Sequence, residues 1–118
     1  MEPLAAQLRL RDFEIAACRR KVAQSGRMIA DFERLAAELD REVRSEEDRT
    51  GIRDPQHFAY STVAKAAGLR RDNLLHSIAP LRLQLDSANA ALQTAVERSR
   101  PADERNEALS MNRAGHAA

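Results

Sequence analysis

Aromatic residues are scarce in this chain of 118 residues: three Phe, one Tyr and no Trp. No basic stripe is interleaved with aromatics, which argues against a nucleic-acid surface. The net charge of +1 does not point to a polyanion or an acidic substrate either. There is one cysteine, Cys18, so an internal disulfide is excluded and a reducing compartment is expected. Glycine is rare, and Gly51 and Gly68 stand alone, so no phosphate-cradling loop is available. The histidines His57, His76 and His116 have no partner at ligand spacing, and neither a metal site nor a cofactor is expected. No apolar run approaches the ~20 residues of a membrane span. The first residues, "MEPLAAQLRLRDFEIAA", lack the basic and apolar regions of a signal peptide. These absences lead to the expectation of a cytoplasmic chain of one domain at most, without direct membrane insertion.

What is abundant is Ala, Leu, Arg and Glu, a composition that favours long helices. Apolar residues recur at alternating spacings of three and four through Leu4, Leu8, Ile15, Cys18, Val22, Ile29, Phe32, Ala36, Leu39 and Val43. Only Arg11 and Ser25 interrupt this seam. A second seam runs through Tyr60, Ala64, Ala67, Leu74, Ile78, Leu81, Leu85, Ala88, Leu92 and Ala95, with Arg71 as its one polar member. Such heptads imply helices packed along their length, and the many alanines allow close approach. On the outer face, Arg34 with Glu38 and Asp40 with Arg44 are spaced to pair.

Between the seams lie Gly51 and Asp54-Pro55. Gly51 can end a helix in the left-handed conformation. Asp54 reads as an N-cap and Pro55 as the first helical position, with Ser61 as an alternative start. A short connection folds the second helix back antiparallel. The expected fold is all-α, an antiparallel two-helix coiled-coil hairpin over residues 1–100. Its first helix spans about 3–49, its turn about 50–56 and its second helix about 57–99. A turn centred near residue 52 would place Phe32 near Arg71 and Leu74. Pro80 is expected to kink the second helix, and Pro101 to close it, leaving 101–118 as a short helical or disordered tail.

Candidate chemistry is sparse. Cys18 occupies a seam position, where cysteine acts as a small apolar residue, and no histidine lies within reach of it in the hairpin. Glu46, Glu47 and Asp48 cluster where the helix dipole disfavours them, as a solvated end or as an acidic patch for a basic partner. Arg11 and Arg71 either snorkel to the seam edge or fix its register. Leu10, Phe13, Leu35, Leu69, Leu75 and Leu83 fall off the seam, and a two-helix hairpin has no third element to cover them. They imply self-association or docking into another protein.

The segment "RRKVAQSGRMIADFERLAAELDREV", the "EED" at 46–48 and "GIRDPQHFAYSTVAKAAGLRRDNL" resemble the FliJ family in its alphaproteobacterial form. That family is the small coiled-coil protein of the bacterial flagellar export apparatus. The stretch from Asp54-Pro55 through His57-Phe58-Ala59-Tyr60 carries most of the resemblance, because neither heptads nor a generic cap requires it. Pro80, Pro101 and the short C-terminal stretch depart from the family pattern. The resemblance covers about two thirds of the chain. It implies a non-enzymatic stalk and escort, cytoplasmic and peripheral to the inner membrane at the flagellar base. Its implied partners are the flagellar export ATPase, the export-gate membrane protein and the export chaperones. At the tip, Asp54 and Pro55 would shape the loop, Phe58 and Tyr60 would anchor a partner, and His57 would either join that partner contact or stand as an ordinary polar residue near a helix start. Phe58 could equally cover the hairpin end while Tyr60 begins the second seam. The alternative function is a homodimeric coiled-coil adaptor forming a four-helix bundle.

Overall fold

The computed structural model describes residues 2–117, with side chains described over 3–100. Helix α1 spans Glu2–Thr50 and helix α2 spans Thr62–Ala117. No strand occurs among the described residues. The chain is an all-α helical hairpin.

Each helix end has a local cause. Gly51 adopts φ 74°, a left-handed conformation open to glycine without a Cβ penalty, and its N–H donates to the Glu47 carbonyl at 2.8 Å. The Thr50 hydroxyl donates to the Glu46 carbonyl at 3.0 Å and accepts from the Ile52 N–H at 3.3 Å. Four carbonyls are orphaned at a helix C-terminus, and the Gly51 contact satisfies that of Glu47. At the start of α2, Ser61 is the N-cap: its hydroxyl oxygen accepts from the Ala64 N–H at 3.2 Å.

The expected N-cap at Asp54 is therefore corrected. The connection covers 51–61 rather than 50–56, and α2 begins at Thr62 rather than near 57. Asp54 instead turns the chain locally, because its carboxylate accepts from the Gln56 N–H at 2.9 Å. The longer loop changes the register. Arg71 meets Asp40, and Arg82 meets Glu33, about two and about three turns away from the pairing that a turn at residue 52 would give.

By compactness the chain divides into a loop-end unit, residues 24–84, and a terminal unit, residues 1–23 with 85–118. In the loop-end unit the two seams bury Ile29, Ala36 and Val43 on α1, and Ala64, Ala67, Ile78 and Leu81 on α2. Contacts run antiparallel, since Tyr60 reaches Glu47, Arg71 reaches Asp40 and Arg82 reaches Glu33. Burying a residue such as Ile78 or Leu81 contributes about 1.5–3 kcal/mol. Half-exposed ion pairs contribute about 0–1 kcal/mol, so the seam, not the charges, holds the unit together. Arg71 is 27% exposed on its side chain and does not simply reach into water. Its guanidinium bonds Asp40 across the seam at 2.8 Å and Asp72 at 3.1 Å. The Asp40–Arg44 pair forms at 3.0 Å, but Arg34 turns back to Asp31 rather than on to Glu38.

In the terminal unit, Leu8, Arg11, Ile15, Cys18 and Val22 are half-buried, as are Leu85 and Leu92, while Ala88, Ala95 and Ser99 are buried. The Ser99 hydroxyl donates back to the Val96 carbonyl at 2.8 Å, the usual way to hide a serine in a helix. Leu4 is exposed despite its seam position. All six off-seam residues, Leu10, Phe13, Leu35, Leu69, Leu75 and Leu83, are exposed.

Helix α2 runs unbroken through Pro80 and past Pro101, where the sequence pattern placed its end. Each proline forfeits one backbone hydrogen bond, but the flanking residues are strong helix formers, so the ladder resumes beyond it. Over 101–117 the description is of the backbone alone, so the side chain of His116 lies outside the described residues.

Candidate functional site

The loop end gathers the sequence-derived candidates and gives them different roles. Two successive turns build the loop. The His57 N–H donates to the Asp54 carbonyl, and the Tyr60 N–H donates to the His57 carbonyl, both at 3.0 Å. Pro55 sits at the first corner of the first turn, a position its fixed φ suits. In the second turn the Ala59 N–H donates to His57 Nδ1 at 3.0 Å. That bond uses Nδ1 as an acceptor.

Phe58 points outward. It is 96% exposed, and its ring stacks on the His57 imidazole at 4.7 Å between centroids and 22° between planes. Tyr60 points inward. Its ring packs on the buried cluster of Val43, Ala64 and Ala67, beside Leu39. Its hydroxyl donates to Glu47 Oε2 at 2.7 Å. The sequence reading paired Phe58 and Tyr60 as anchors; the structure brings them to the same loop but gives only Phe58 to solvent.

The acidic residues Glu46, Glu47 and Asp48 are neither an unengaged end nor an open patch. Each fastens the loop to the end of α1. Glu46 accepts from Arg49 at 2.8 Å and from the Ser61 hydroxyl at 2.8 Å. Glu47 holds Tyr60, and Asp48 holds Arg53 at 2.5 Å. Sequence reasoning missed these links, because Glu46 and Ser61 are 15 residues apart and Glu47 and Tyr60 are 13 apart, spacings that carry no motif.

The electrostatics follow the contacts. The Arg49 hydrogen bond, with that of Ser61, holds Glu46 below the usual glutamate range. Its contribution to stability is thus present above that range and lost as pH falls through the lowered value. The bond to Glu47, with partial burial, pushes the Tyr60 phenol above the usual tyrosine range. A phenol that donates to a carboxylate favours its neutral form, so this contribution is lost as pH rises through the raised value.

Elsewhere the candidates are structural. Cys18 is a free, half-buried seam residue. Among the described residues no cluster of three or more His, Cys, Asp or Glu could hold a metal ion, and no helix is long and apolar enough to cross a membrane. What the loop end offers chemically is a fixed, solvent-facing aromatic on a braced turn. Compared with known proteins, the chain matches no protein family, no curated sequence and no solved structure.

Proposed function

We propose that the chain works by binding, as a coiled-coil stalk and escort of the bacterial flagellar (type III) protein export apparatus. In this reading it acts at the cytoplasmic side of the inner membrane, at the flagellar base. It contacts the export ATPase ring, the export gate and export chaperones, and has no catalysis of its own. The motif that carries the family resemblance supports this reading. The single observation behind it is Phe58, 96% exposed on a loop held by its own hydrogen bonds. An exposed aromatic costs solubility and returns nothing to this fold, whereas a pre-ordered aromatic is the usual hot spot of an interface. Asp54, Pro55 and His57 set its position, and Tyr60 locks the loop to the coiled coil.

The test is capture from a lysate of the source organism with the full chain and with Phe58→Ala as baits. The wild type should retain the export ATPase or the gate protein, and F58A should retain at least about tenfold less. F58A should melt at the wild-type temperature, because Phe58 contributes almost no burial. Capture of neither component by the wild type, or full swimming in a strain carrying F58A, would overturn the reading. A second reading, a homodimeric adaptor, is favoured by the exposed leucine beside an open groove in the loop-end unit.

A further inference from the structure

We infer that one flank of the loop-end unit is a two-fold interface for a second copy of the chain, packed side by side with its loop at the same end. The inference stands without the export reading. Between α1 and α2 on this flank lies an open groove of about 540 Å³. Phe32, Leu35, Leu39 and Leu74 form its apolar floor. Leu35 is 43% exposed, and Met28, one heptad before it on the same strip, is 39% exposed. The rims carry opposite charges: Glu38 and Glu42 on α1, and Arg70 on α2.

The two flanks of the unit treat their charges differently. On the other flank the ion pairs close within the hairpin, Asp40 with Arg71 and Glu33 with Arg82. Glu38, Glu42 and Arg70 have no ion-pair partner among the described residues, although all three line one groove. An apolar floor between two unpaired rims of opposite sign is self-complementary, which is the requirement of an isologous contact.

Charge also selects the orientation. Two hairpins laid face to face can be related by an axis along the helices or by an axis across them. An axis along the helices sets α1 of each copy against α2 of the other at the same height. Glu38 and Glu42 then face the second copy's Arg70, and Leu35 and Leu39 face its Leu74. An axis across the helices sets α1 on α1 and α2 on α2, so carboxylates meet carboxylates. Like charges set against each other at an interface repel and suppress that arrangement, whereas opposite charges steer and hold register. The first arrangement is a four-helix bundle in which neighbouring helices run antiparallel. It places both loops, and both Phe58 side chains, at one end. A ligand with two matching sites would then gain avidity without any new contact.

Sedimentation equilibrium of the full chain tests the proposal. The wild type should dimerise. Arg70→Glu alone, and Glu38→Arg with Glu42→Arg, should each weaken the dimer about tenfold or more. Circular dichroism should show both variants as helical as the wild type, since none of the three side chains supports the fold. Mixed in equal amounts, the two variants should recover a heterodimer, which a merely structural defect would not allow. Orientation is read by spin-labelling Gln56→Cys in a Cys18→Ala background: a short label-to-label distance is expected. A wild type that stays monomeric, charge variants that associate as the wild type does, a mixture that fails to recover, or labels far apart would each overturn it.

Discussion

Tyr60 and Phe58 stand two positions apart and do opposite things, and the difference is set by what lies beneath each ring. Tyr60 continues the three-four spacing of the α2 seam, so its ring falls over Val43, Ala64 and Ala67 and its hydroxyl over Glu47. Phe58 stands on the loop, 96% exposed, and stacks on His57. Tyr60 is the one tyrosine in a chain without tryptophan, so its ionisation can be followed by absorbance without interference. Its midpoint should lie above the ordinary tyrosine range. Glu47→Gln should lower it, because the amide still accepts the hydrogen bond but no longer penalises the phenolate by charge. Glu46→Gln, which does not touch Tyr60, should leave the midpoint in place. An unshifted midpoint in E47Q would show that the hydroxyl is not held by that carboxylate. The inward turn of Tyr60 was legible in the sequence from its seam position. Its bond to Glu47 was not, because a contact across a folded loop leaves no periodic trace.

At the scale of the element, the cap of α2 has two demands placed on it. Ser61 accepts from the Ala64 N–H and donates to Glu46, joining the start of one helix to the end of the other. Alanine in its place should cost about 1 kcal/mol or somewhat more, since it loses the cap and leaves Glu46 with Arg49 alone. Aspartate caps isolated helices as well as serine does, yet here it cannot donate and would face the Glu46 carboxylate. The expected order in thermal melts is Ser, then Thr, then Ala and Asp together at the bottom. Aspartate at or above serine would mean that the link to Glu46 contributes nothing. This double role explains why the helix start was misplaced in the sequence reading. Asp54-Pro55 carries the stronger generic signal for a helix start, but a signal of that kind ranks isolated caps. It omits a partner 15 residues away that favours Ser61. With the start displaced, the register moved as well, while the seams themselves did not. Hydrophobic periodicity is a property of each helix alone, whereas register depends on the length of the connection. The prolines teach the same point in reverse: Pro80 and Pro101 are local penalties, and neither ends a helix whose neighbouring residues favour it.

For the whole molecule, the central quantity is how much apolar surface the chain hides by itself. No large side chain among the described residues is fully buried, and the core consists largely of alanines with a few Ile, Leu and Val. Among the described residues ten large hydrophobic side chains remain exposed, Phe58 among them. Two helices alone can cover only one stripe of each other, so association should add stability to a hairpin that already folds alone. The melting temperature should then depend on concentration. At concentrations where the dimer is the species that melts, a tenfold rise in chain concentration should raise the midpoint by about 3–5 °C. Arg70→Glu should flatten that dependence and melt at the low-concentration wild-type value, and its equimolar mixture with the Glu38→Arg, Glu42→Arg chain should restore the slope. Phe58→Ala should change neither slope nor midpoint, because Phe58 lies on the loop and not on the Glu38–Arg70 flank. A wild-type midpoint constant over two decades of concentration would mean that the hairpin gains nothing from a second copy. The exposed leucines would then require a different partner, and the groove beside Leu35 would be the first place to look for it.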